Sequence, residues 1–310
     1  MIAPKKPKNM TVEEFIKSAK MFYIDSDLEK DYAVTVSKRV PELRTRLLGI
    51  ATIEGLKKYI HEDREALDRI TSLLNISEEK FKRIITMLRI QKRHSPSTEW
   101  SLLKVREQML ESTIFMDEIC ELLMSGANID KYKELIPAYY LENFIIDAAT
   151  LGRLASPDDI SRLIKKGLEG NYNNKIGDSF FKYASDLVTN ACDKAGISYD
   201  IKKNVPLVDK IISVAIPNAT APRMLIDITY GITTSSAQTR YAERAVSAAA
   251  KIRDRNLDKQ DKQRVIFINV VDGAGWVARQ SDLNKIERCS DYLMNIQALG
   301  SIEDLIDYYF

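Results

Sequence analysis

Residues 265–271, VIFINVV, constrain this chain most. A β-prone run with no regular alternation of apolar and polar positions is the pattern of a strand buried on both faces. Such a strand needs neighbours in a sheet and cover above and below it. The surrounding texture agrees from Pro206 onward. Residues 211–216 and 224–230 are strand-like and separated by PNATAP, a loop long enough for a hairpin. A helix is predicted over 236–253, a last strand over 291–296 and a closing helix over 301–310, with a helix over 175–190 leading into the sheet.

Upstream the pattern is helical. Leu102, Val105, Met109, Met116, Ile119 and Leu123 recur at helix spacing. Similar patterns cover 12–22, 51–74 and 81–90, and no alternating pattern appears before about residue 205. A second helix start is written at Ser156, Pro157, Asp158 and Asp159, an N-cap followed by proline and acids. At 310 residues the chain is long for one core. The expected fold is therefore α/β (α+β): a mixed-sheet core over 151–310 behind a mainly α-helical region over 1–150.

Two histidines, His61 and His94, and three widely spaced cysteines, Cys120, Cys192 and Cys289, exclude zinc fingers, which need four ligands at short spacing. Any catalysis must then rest on carboxylates, lysine and arginine, or hydroxyls. With a formal net charge of only +2, attraction to nucleic acid must come from how charge is distributed. No uncharged apolar run approaches the ~18 residues of a membrane span. The basic start lacks the apolar stretch of a secretory signal, so a cytoplasmic location is expected.

Asp227 interrupts the apolar strand MLIDI. A carboxylate there is costly unless paired, metal-bound or at the exposed strand end. Asp209 opens the preceding strand 18 residues earlier, and the two acids could face each other in a hairpin and share Mg²⁺, which keeps several waters. The alternative is that Asp209 is a turn residue and Asp227 pairs with an arginine such as Arg223. Next comes Thr233–Thr234–Ser235–Ser236, a hydroxyl cluster before a helix, suited to capping it or to holding an anion. At ~100° per residue Tyr241, Ala245, Ala248, Ala249 and Ile252 share the packed face. Gln238 lies at its edge and can look back toward Asp227, whereas Glu243 points away.

Residues 174–181 (NKIGDSFF), Val208–Asp209 and 225–230 (LIDITY) resemble the type II restriction endonucleases of the PD-(D/E)XK superfamily. So do Asp272–Gly273–Ala274–Gly275–Trp276 and Arg279–Gln280–Ser281–Asp282 after the buried strand. The resemblance covers roughly 170–300. It implies Mg²⁺-dependent hydrolysis of double-stranded DNA by a homodimer, with a cognate DNA methyltransferase as companion. It makes Asp209 and Asp227 the metal ligands and catalytic acids. Val208 stands where the motif has proline, and Thr229 stands where it has lysine. Lysine would orient the attacking water and offset transition-state charge. Gln238, Arg240 or Lys210 could take that part, the Thr229 carbonyl could be a further ligand, and Asp178 could complete the site.

Gly273–Ala278 formally matches GxGxxA after a strand, but only some 32 residues follow it and a tryptophan comes directly after the second glycine. A dinucleotide fingerprint needs a βαβ unit near the start of a large domain, so these glycines read as a turn. Residues 80–106 carry eight Lys/Arg against one acid, Glu99. With the helix start at 74–79, this segment has the look of a helix-turn-helix-like pair. Lys82, Arg83, Arg89, Lys92 and Arg93 are then candidate DNA contacts, the alternative being a solvated helix face. The function expected from all of this is a site-specific deoxyribonuclease. A non-catalytic DNA-binding or helical adaptor protein with a degenerate core, and a repair nuclease, are the other readings.

Overall fold

A computed structural model describes residues 6–93, 98–154 and 156–310. Among them the chain is mixed α/β, with fifteen α-helices and one five-stranded sheet. It divides into two compact units, residues 29–170 and a sheet unit built from 1–28 together with 171–310. The division falls at 170/171 rather than at the expected boundary near 150, and residues 6–28 group with the sheet. Their contacts explain why. Phe15, in helix α1 (Val12–Ser18), is buried with Trp276 and Leu283, and the Lys20 N–H donates to Asp272 at 2.7 Å.

The sheet runs in the order β1 (Asp200–Val205), β2 (Lys210–Ile216), β3 (Met224–Tyr230), β4 (Ile266–Asp272), β5 (Tyr292–Met294). The first two pairings are antiparallel and the last two parallel. As the apolar run requires, β4 is buried along its whole length between two neighbours. β1 was not legible as a strand. It is an edge strand whose Ile201, Lys202, Lys203 and Asn204 are exposed, so it carries lysines and no apolar alternation, as protected edges do. The last strand is also shorter than the expected 291–296.

Side-chain alternation sorts the strands onto two faces. Ile226, Ile228, Ile268 and Val270 pack against Phe180, Ala184 and Val188 of the long helix α2 (Pro157–Ala195) and against α6 (Ile302–Tyr309). Helix α2 starts at the predicted proline and runs without a break through the expected 175–190 helix. Leu225 and Phe267 face the other way, onto Ala245, Ala248, Ala249 and Ile252 of α3 (Ser236–Asn256), the face expected from helical spacing. Each large apolar side chain so buried contributes about 1.5–3 kcal/mol. Asp227 shares parity with Leu225, so period two delivers it to the α3 side. After β4 come the short helices α4 (Ala274–Ala278) and α5 (Gln280–Cys289).

Residues 29–170 form an all-helical unit with its own core, including Leu47, Ile60, Leu67, Phe81 and Phe144. No helix among the described residues is long and apolar enough to cross a membrane.

Candidate active site

A cavity of about 580 Å³ opens where β3 ends and α3 begins. Asp227, Thr229 and Gln238 all line it, together with Lys210, Arg240, Arg244 and Trp276. Three cations therefore face one carboxylate. Asn173 and Asn174 contribute from α2, whereas Asp178, one turn on, is exposed and does not line it.

Asp227 is 5% exposed and fully partnered. Lys210 Nζ donates to its Oδ2, forming an ion pair, and Ser213 Oγ lies 3.2 Å from Oδ1. The Ser213 hydroxyl in turn accepts the Ile228 N–H at 2.9 Å. Tyr241 Oη donates to Asn269 Oδ1 at 3.0 Å, and Asn269 is in register with Asp227 on β4. Burial, followed by the negative charge of Asp227, pushes the Tyr241 phenol well above its ordinary value. Lys210 Nζ stands 5.0 Å over the Tyr241 ring, a cation–π distance. The partner of Asp227 is thus Lys210 and not Arg223, whose guanidinium donates to the Tyr309 carbonyl.

The expected pairing of Asp209 with Asp227 is not assembled. β2 and β3 register as Val214 with Ile226 and Ala215 with Leu225, which brings Ser213 beside Asp227. Asp209 lies four residues further back, exposed in the β1–β2 turn with φ 52°, and does not line the cavity. The separation of 18 residues suggested an opposed pair, but the actual loop sets the opposed spacing at 14. Among the described residues no three His, Cys, Asp or Glu side chains converge on a point. Mg²⁺ binds through one or two carboxylates and completes its shell with water and substrate phosphate oxygens. Asp227 reaches the cavity and could supply the single carboxylate of such a site, with water and substrate giving the further oxygens, whereas Ser213 does not line it.

Gln238 does look back toward the strand end, but its amide is committed. Its Oε1 accepts the Ser235 N–H at 2.6 Å and its Nε2 donates to the Thr233 carbonyl at 3.0 Å. It closes a capping box at the start of α3, so the hydroxyl cluster caps this helix. Gly273 and Gly275 make the predicted turn. Gly273 adopts φ 106°, and a Cβ on Gly275 would stand 2.4 Å from the Thr233 carbonyl oxygen.

In the helical unit the basic segment is largely engaged. Lys82 pairs with Glu78 at 3.1 Å and Arg83 with Glu79, both one turn apart, and Lys92 pairs with Glu118 at 2.6 Å. Arg89 is no surface cation. It is 8% exposed, its guanidinium stacks 3.1 Å from the Trp100 ring centre, and it donates to the Thr98 carbonyl. The side chain of Arg93, and His94 entirely, lie outside the described residues. The expected helix pair is present as Ala66–Leu73 and Glu78–Arg93, with Asn75 at φ 55° in the turn.

The sequence singles out Asp227 and Thr229, and offers Gln238, Arg240 or Lys210 as the substitute for the missing lysine, of which Gln238 is committed to the helix cap. It does not single out Ser213, Arg244 or Trp276 as site residues. The parity of Ser213 was the available signal, hidden because register depends on loop length. No protein-family model matches the chain, and no curated protein sequence matches it at a significant level.

Proposed function

We propose that this chain is a type II site-specific deoxyribonuclease that hydrolyses phosphodiester bonds of double-stranded DNA with Mg²⁺. The observation that carries this reading is the Lys210–Asp227 ion pair in a cavity whose other charged lining residues, Arg240 and Arg244, are cations. An acid and a lysine held together beside a basic cavity are groups that phosphodiester hydrolysis uses. Arg240 and Arg244 bind backbone phosphates and fix the register of the strand. Lys210, oriented by Asp227, offsets the charge that builds on the phosphate in the transition state. Asp227 would hold the ion, which when bound would supply Lewis-acid polarisation of the phosphate and a more acidic water. Cutting both strands takes two such sites, hence a homodimer, and a site-specific nuclease of this type is accompanied by a protecting DNA methyltransferase.

One observation favours a second reading, a DNA-binding core without hydrolysis: the side chain touching Oδ1 of Asp227 is Ser213 and not a second acid. A plasmid digest with Mg²⁺ and with EDTA separates the two. Discrete fragments with Mg²⁺ alone support the nuclease; bound but uncut plasmid under both conditions supports the second reading. Fragments without a common end sequence point instead to structure-directed cutting of the repair kind.

A further inference from the structure

Trp276 is a buried polar group beside the cavity that the proposed mechanism leaves unused. The residue is 1% exposed, yet its indole Nε1 has no hydrogen-bond partner among the described residues. Buried indole N–H groups ordinarily find an acceptor. The nearby backbone carbonyls take other donors: Gly231 O accepts the Gly275 N–H at 2.8 Å, and Thr233 O accepts Gln238 Nε2. Trp276 lines the basic cavity, and the Tyr241 ring meets it edge to face at 5.5 Å between ring centres. Its Cδ1–Nε1 edge faces Gly231, where a Cβ would stand 3.6 Å from both atoms. Gly231, which also lines the cavity, puts no side chain between that edge and the cavity.

An acceptor brought into the cavity would satisfy this N–H. Its neighbours decide the charge of that ligand. Lys210, Arg240 and Arg244 line the same space, and the amino end of the 21-residue helix α3 opens onto it with its positive dipole. We infer that the Trp276 indole N–H is a substrate-binding donor for a non-bridging phosphate oxygen of the DNA backbone. This rests on the reading of the cavity as a DNA site. Phosphodiester oxygens accept and do not donate, so one of them answers an N–H among cations with no unmatched donor of its own.

The test is the indole N–H signal of the full chain labelled with ¹⁵N-tryptophan, kept in EDTA so that no cleavage intervenes. Two tryptophans give two indole signals, and Trp100→Phe identifies the one belonging to Trp276. The protein is titrated separately with a 12-base-pair duplex and with inorganic phosphate. The expected result is a downfield shift of the Trp276 proton on saturation with duplex, the Trp100 signal staying in place. Replacing Trp276 by benzothienylalanine, which keeps the ring shape and lacks the N–H, should weaken duplex binding about tenfold. A merely structural ring would leave binding unchanged. Duplex that binds without moving the Trp276 signal overturns the inference and leaves the DNA reading intact. A shift with inorganic phosphate but no duplex binding keeps the oxyanion donor and removes the DNA reading. No shift with either ligand overturns the donor.

Discussion

The hydroxyl of Ser213 lies 3.2 Å from Oδ1 of Asp227 and accepts the Ile228 N–H, so a serine occupies the place from which a second carboxylate would reach a shared ion. Ser213→Asp should therefore create a two-acid site. Without divalent ions the added carboxylate repels Asp227 in a buried setting and should destabilise the protein by about 1–3 kcal/mol. Mg²⁺ should restore that loss and bind more tightly than to wild type. Thermal unfolding in EDTA and in Mg²⁺ reads both effects; equal melting in the two media would show that the positions do not share an ion.

Lys210→Met leaves Asp227 buried without its counter-ion. Breaking such a pair from one side costs about 3 kcal/mol. The double variant with Asp227→Asn should recover much of the loss, because no uncompensated charge remains. Urea unfolding of the four proteins gives the coupling; strictly additive losses would mean the ion pair is incidental.

Arg240→Ala and Arg244→Ala should each flatten the dependence of DNA affinity on salt by about one counter-ion. Lys82→Ala and Arg83→Ala should leave the slope unchanged, since both cations already face acids one helical turn away. Fluorescence anisotropy across a salt series decides it. The opposite pattern would return DNA binding to the helical unit.

Tyr241 makes stability depend on pH at the alkaline end. Its phenol is raised above the ordinary 10.0 by burial and by Asp227. The unfolded chain loses this proton first, so the contribution is intact below pH 10 and is lost as pH rises toward the folded value. Tyr241→Phe should shallow the fall of stability above pH 10 by about one proton. Urea unfolding at several alkaline pH values tests this, and an unchanged slope would place the phenol in contact with solvent.

Much of the sheet unit is legible in the chain. The buried strand, the hairpin partner and the packed face of α3 follow from runs and periods that local sequence carries. The charge-bearing edge strand β1 is not legible, because an edge needs no apolar alternation. Asp227 could be singled out since a carboxylate in an apolar strand is a local anomaly. Its partners could not: whether 209, 210 or 213 meets it depends on the register fixed by the 217–223 connection, and side-chain parity reverses with each residue. Likewise the basic count over 80–106 was visible, but the acids that neutralise it sit a helical turn before it or, as with Glu118, beyond it in the chain.

The most direct test of the central claim compares wild type with Asp227→Asn on one duplex, binding measured in EDTA and cleavage by end-sequencing in Mg²⁺. Wild type should bind and cut at fixed positions, and the variant should bind within a few-fold and not cut. Equal cutting by Asp227→Asn, or a wild type that neither binds nor cuts, would contradict the account.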